Sequence, residues 1–138
     1  MSQRAKSKVG QTLGRTYRIE RLVGVGSVGA VYVARHQRTG ALCAVKVLHR
    51  KLGPTGEAYT RFVEETRTIG LLRHPHILPF SDFDHDDSGA LFLVMELLEG
   101  ESLQQRLQQK GGLPLSPVQE LAKQIGGALH AAHRSGVL

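Results

Sequence analysis

Residues 23–46 read VGVGSVGAVYVARHQRTGALCAVK, with glycines at 24, 26 and 29 and a lysine at 46. Glycines at this spacing let a turn flatten over a ligand and aim backbone N–H groups at phosphate oxygens. A lysine within reach supplies a compact positive charge for the same oxygens. A ligand-free turn can hold the same glycines, so the flanking residues have to decide. A dinucleotide-binding fold opens a helix at the last glycine and carries an acid about 20 residues on. Here Gly29 runs into AVYVAR, a strand former, and the next acid is Glu57. A Walker-type loop needs Gly-Lys-Ser/Thr, whereas this chain has Ser27-Val28-Gly29. The arrangement that fits is a strand, a glycine turn, a second strand, and a lysine on a third.

Alternation along that third strand puts Leu42, Ala44, Lys46 and Leu48 on one face and Cys43, Val45 and Val47 on the other. A cation in an apolar strand must meet an anion or reach water. Ala44, small and on the face of Lys46, leaves room for a flat ring, and Val31 is placed to cover such a ring from the loop side. A carboxylate is needed to hold the lysine, and the following helical pattern offers Glu64 and Glu65. Ile69 lies one turn beyond Glu65, and Phe62, Ile69 and Leu72 argue that this face looks inward, so Glu65 is preferred; both glutamates also suit a solvated surface.

The elements that must position these groups follow from turn signals and periodicity. YRIERLV (17–23), AVYVAR (30–35) and LCAVKVL (42–48) read as antiparallel strands, and KLGPTGE (51–57) as a loop. A long helix should then end before Pro75. HILPFSDF (76–83) and GALFLVME (89–96) flank the acidic turn DHDDS as a second hairpin. The expected fold is α+β: a five-stranded antiparallel sheet with one long helix inserted after the third strand. Ser102 and Gln105 form a capping box for a short helix, and Ser116, Pro117 and Gln119 announce another that Gly136 ends. On that last helix Val118, Leu121, Ala122, Ile125, Leu129 and Ala132 share one apolar face.

The glycine loop, RFVEETRTIGLLRHPHIL and LFLVMELLEGESLQQRL, in this order and spacing, resemble the N-terminal lobe of eukaryotic-type protein kinases, with the flavour of bacterial Ser/Thr kinases; the resemblance runs from Tyr17 to the last residue. It implies a division into a basic tail (1–16), the N-lobe (17–96), and the hinge with the first helices of an incomplete C-lobe (97–138). It implies that Val23, Gly24, Gly26 and Gly29 cover ATP, that Lys46 contacts its α and β phosphates while paired to Glu65, and that Val31 and Ala44 roof the adenine. By the same resemblance Met95 is the gatekeeper, Glu96 and Leu98 give the hinge hydrogen bonds, and Ile69 and Phe80 begin a hydrophobic stack. Val28 stands at the loop tip where the family usually has an aromatic or small polar residue.

The family's His-Arg-Asp and Asp-Phe-Gly motifs do not occur in these 138 residues. The resemblance therefore implies an ATP-binding part of a Ser/Thr kinase that is inactive alone, with magnesium held only in the complete domain. A catalytically inactive nucleotide-binding or regulatory module is the alternative. Expected partners are ATP and a protein substrate or regulatory protein, and the apolar helix face invites self-association. The net charge of +6 is concentrated in a basic N-terminus without interleaved aromatics, which reads as a solvated tail, and no nucleic-acid partner is expected. One cysteine, Cys43, placed in the core, and no long apolar run suggest a cytoplasmic chain without a transmembrane segment. Seven histidines and the acidic turn 84–88 show no metal-ligand spacing, so no metal site is expected.

Overall fold

The computed structural model describes residues 8–51 and 56–137; the expected loop at 52–55 and the first seven residues of the tail lie outside them. Strands β1 (Thr12–Leu13), β2 (Tyr17–Val25), β3 (Gly29–His36) and β4 (Leu42–Lys51) precede helix α1 (Glu57–Leu71). Strands β5 (Phe80–His85) and β6 (Ala90–Met95) follow, then α2 (Leu103–Lys110) and α3 (Leu115–Arg134). The strands form one antiparallel sheet in the order β1-β2-β3-β4-β6-β5.

The sheet has six strands where five were expected. The extra one lies in the stretch read as a basic tail: Thr12 and Leu13 pair with Arg18 and Tyr17, and Leu13 is buried. A two-residue strand carries too little periodicity to be seen in sequence, and its partners supply the order. Gly10 N–H donates to the Ile19 carbonyl and Ile19 N–H to that of Gln11, both at 2.9 Å.

The sheet curls until its ends meet. Tyr17 of β2 donates its hydroxyl to Asp82 of β5 at 2.8 Å. Burial, and then this carboxylate, push the phenol pKa up. Inside the curl, cross-strand rows pack the core: Ala30 against Val47 and then Phe92, and Tyr32 against Val45 and then Val94. Cys43, expected in the core, is only partly buried at its margin.

The second hairpin is shorter at its start than expected. Residues 76–79 form no strand, because Ile77 N–H turns back to the His74 carbonyl and Pro79 has no N–H to give a ladder. Asp84 and His85 join β5, leaving a tight turn at Asp86–Gly89 in which Gly89 takes φ +77°. Asp86 closes it, accepting from the Ser88 N–H and hydroxyl and the Ala90 N–H, and pairs with Lys8 near the start of the chain.

Helix α1 ends at Leu71, before Pro75 as expected. Among its described residues Thr66 is buried and Tyr59, Val63 and Gly70 partly so; of the residues expected to look inward, Leu72 is buried but Ile69 is 40% exposed. Gly70 allows the Phe80 ring to lie against the helix backbone, where an added Cβ would sit 2.7 Å from the ring. The Ser102–Gln105 capping box on α2 is present in full. The Ser116 cap is not: α3 begins at Leu115 after Pro114, with no side-chain cap, and Pro117 falls at the third helical position, where an N–H has no intrahelical partner anyway. Gly136 (φ +77°) ends α3, with its N–H on the His133 carbonyl and that of Val137 on Ala132. No α3 residue is buried, and Val118, Ile125 and Leu129 are each more than 40% exposed. Among the described residues no helix is long and apolar enough to cross a membrane.

Burial alone would raise the Asp86 carboxyl, but the hydrogen bonds from Lys8, Ser88 and Ala90 outweigh it and lower its pKa to about 2. A depressed carboxylate stabilises the fold above its unfolded pKa and loses that contribution as pH falls through the folded value, here from about pH 4 to about pH 2. Asp86→Asn is therefore expected to cost about 2 kcal/mol near neutral pH, and urea denaturation should show the gap to wild type closing over that acid range. A gap that stays constant down to the acid end would contradict the role given to this carboxylate.

Candidate functional site

The register of three strands sets out the site. Val31 of β3, Lys46 of β4 and Leu93 of β6 lie side by side in one row, and Val33, Ala44 and Met95 in the next. Directly paired residues point to the same face, so these two rows form a single surface, opposite the Ala30–Val47–Phe92 core rows. Lys46 is half-buried between Val31 and Leu93. Ala44, small and buried, follows on the same face, with Met95 paired beside it.

The loop between β2 and β3 folds over the Lys46 end of this surface. Gly24, Val25, Gly26, Ser27, Val28, Gly29, Val31 and Lys46 line a cleft of about 320 Å³. Gly26 N–H donates to the Gly29 carbonyl at 2.8 Å and closes the loop at its neck. At the tip, the N–H groups of Ser27 and Val28 donate to no other described residue.

The three glycines are required for different reasons. A Cβ on Gly29 would stand 2.4 Å from the Val47 carbonyl oxygen, so this glycine exists to let β3 approach β4. Gly24 and Gly26 have no such reason. Neither adopts a left-handed φ, an added Cβ on Gly24 would meet nothing within 4 Å, and one on Gly26 would make only an ordinary 3.7 Å contact. What their missing side chains leave is open space above the cleft.

Of the residues singled out in the sequence, the structure gathers Gly24, Gly26, Gly29, Val31 and Lys46 around the cleft and sets Ala44 and Met95 in the adjoining row. Val23, Glu96 and Leu98 are exposed and do not line it; Glu96 and Leu98 follow β6 in chain without regular structure. Glu65 belongs to α1, but its side chain lies outside the described residues, as does that of Phe62. Among the described residues no ion pair involves Lys46. The sequence reading gave no ligand-facing place to Val25 or Ser27, both of which line the cleft as loop neighbours of the glycines. It also passed over His49, whose ring lies 3.0 Å from the Gly26 carbonyl oxygen. No spacing rule marks a residue three positions past a strand lysine, so nothing in the sequence pointed to it.

Other depressions lie elsewhere on the described residues. A groove of about 550 Å³ between the end of α1 and α3 is almost wholly apolar, lined by Ile69, Leu72, Ile125, Leu129 and neighbours. A polar hollow of about 300 Å³ lies at the β1–β2 and β5–β6 turns, with Arg15, Asp84, His85 and Asp87. The apolar groove lacks charged groups for chemistry, and among the described residues no group of three His, Cys, Asp or Glu side chains is placed to hold a metal ion.

A family model for the protein kinase domain matches residues 17–138. The serine/threonine-protein kinase PknA of Mycobacterium tuberculosis is 36% identical over 135 residues, covering 95% of this chain and 31% of that protein. PknE of Mycobacterium bovis is 38% identical over 138 residues, covering 99% of this chain and 24% of that one. A crystal structure of the M. tuberculosis PknI kinase domain superposes with a TM-score of 0.78 at 31% identity, over 94% of this chain and 51% of that domain. The chain thus spans about a quarter to a third of these curated relatives and about half of the solved domain. With its curled sheet, glycine loop and strand lysine in the order that the matched model covers, the chain belongs to the protein kinase domain family.

Proposed function

We propose that this chain is the ATP-binding part of a protein serine/threonine kinase, whose complete domain transfers the γ-phosphoryl group of ATP to protein hydroxyls. The observation that carries the reading is the open space over Gly24 and Gly26, which neither backbone conformation nor packing explains, directly above a lysine set in an apolar row. A triphosphate accounts for both. It needs close backbone approach and a cation, and a lysine paired between Val31 and Leu93 needs an anion or water within reach.

In this reading the Ser27 and Val28 N–H groups and the Lys46 ammonium donate to phosphate oxygens, and Glu65 holds Lys46 from α1. Val31 and Ala44 take the adenine, Met95 limits the depth of its recess, and the backbone at Glu96 and Leu98 meets its edge. These residues bind, orient and partly neutralise the nucleotide. Accepting the substrate hydroxyl proton and holding magnesium fall to residues of the complete domain, since neither His-Arg-Asp nor Asp-Phe-Gly occurs here. The preference for serine and threonine rests on the names of the relatives.

Association is a second property of this reading. The exposed Val118, Ile125 and Leu129 face of α3, continuous with the apolar groove against α1, is a surface that another protein segment would cover. Sedimentation of the 138-residue chain is expected to show concentration-dependent self-association that Leu129→Glu weakens; a monomer at every concentration would contradict it.

ATP at about a hundredfold above its Kd is expected to raise the melting temperature by roughly 6–12 °C, and Lys46→Met to remove most of that shift. An identical shift in both proteins would sink the assignment of Lys46. No phosphoryl transfer to a generic protein substrate is expected from the chain alone. The glycines should separate by role: Gly29→Ala is expected to lower stability by about 2 kcal/mol or more, through its clash with the β4 backbone. Gly24→Ala and Gly26→Ala are expected to change stability by less than about 1 kcal/mol while weakening ATP binding. Equal melting temperatures for Gly29→Ala and wild type would refute this division.

A further inference from the structure

We propose that His49 is a positioning residue for the glycine loop, fastening Gly26 over the phosphate end of the cleft from outside it; the proposal rests on the nucleotide reading above. His49 lies on β4, three residues after Lys46, and holds the loop twice. Its backbone N–H donates to the Val28 carbonyl at 2.9 Å, which carries the β3–β4 ladder one step beyond the Gly29–Leu48 pair and into the loop. Any residue but proline could make that bond. The ring makes the specific one: Nε2 lies 3.0 Å from the Gly26 carbonyl oxygen. A carbonyl oxygen only accepts, so Nε2 carries a proton and donates it.

The effect is to tie the β2 arm of the loop, across β3, to the strand that carries Lys46. Both backbone polar groups of Gly26 are then satisfied, its N–H by Gly29 and its carbonyl by His49. Among the described residues no other side chain bonds to the loop between Val25 and Val28. His49 is not among the residues lining the cleft, and strand alternation places it with Val45 and Val47, away from Lys46. It acts through Gly26, not on a ligand. A glycine arm without this tether samples a wide range of conformations, and ordering it over phosphates would cost conformational entropy at the moment of binding. Only a ligand that reaches under the loop feels that difference.

The test measures the affinities of ATP and of adenosine for the 138-residue chain, by calorimetry, in wild type, His49→Ala and His49→Gln. The glutamine amide nitrogen stands at about the reach of Nε2 and can donate to the same carbonyl. His49→Ala is expected to weaken ATP by about threefold to tenfold, the worth of one net hydrogen bond, while adenosine changes by less than about twofold. His49→Gln is expected to keep most of the ATP affinity. Unchanged ATP affinity in His49→Ala overturns the proposal, as does an equal loss for ATP and adenosine, which would mark general damage to the fold. Failure of His49→Gln to recover any affinity also counts against the hydrogen bond as the cause. A wild-type chain that binds adenosine and ATP equally overturns the proposal while leaving adenine binding intact, and one that binds neither overturns the nucleotide reading itself.

Discussion

A lysine set between a valine and a leucine in one row of the sheet is the constraint on which the rest of this structure depends. Lys46 sits in the row Val31–Lys46–Leu93, paired on both sides by strands whose other face is the core. Such a cation is tolerated only where water or an anion reaches it, because leaving it unsolvated costs far more than any packing gain returns. The cleft beneath the glycine loop supplies that access. The loop can arch over the lysine because Gly29 lets β3 lie against the β4 backbone, closer than any side chain would allow. Gly24 and Gly26 keep the space beneath the arch open.

The same three strands thus carry two jobs on two faces. Ala30, Val47 and Phe92 on one side, with Tyr32, Val45 and Val94, supply the burial that holds the sheet together. Val31, Lys46 and Met95 on the other are left half-covered, with Ala44 buried between them. Alternation makes this separation inevitable, since a strand residue cannot serve both faces. It also explains how the cleft face can carry a cation and small residues without weakening the core one residue away. The curl that brings Tyr17 to Asp82, and Lys8 to Asp86, closes the core side and leaves the cleft side open.

Much of this was legible in the chain because it is local. The three glycines, the strand alternation that places Ala44 beside Lys46, the α2 capping box and the end of α1 before Pro75 are all set by neighbours within a few residues. What sequence reading missed was either a weak local signal or a contact between residues far apart in the chain. Thr12 and Leu13 become a strand only because Tyr17 and Arg18 pair with them, with Lys8 bound to Asp86, 78 positions away. Ile69, expected to look inward, is 40% exposed and lines the open groove beside α3. Ser116 looked like a cap, yet Pro114 starts α3 earlier, because a proline two residues further in costs no hydrogen bond in the first turn. The contact of His49 with Gly26 bridges 23 positions across β3, and no pattern announces it.

The most direct test of the central claim is a crystal structure of the 138-residue chain grown with ADP. The account predicts the diphosphate beneath the Gly24–Gly29 arch, with the Lys46 Nζ within about 3 Å of a phosphate oxygen. Nucleotide bound elsewhere, or bound here with Lys46 turned out to solvent, would contradict it.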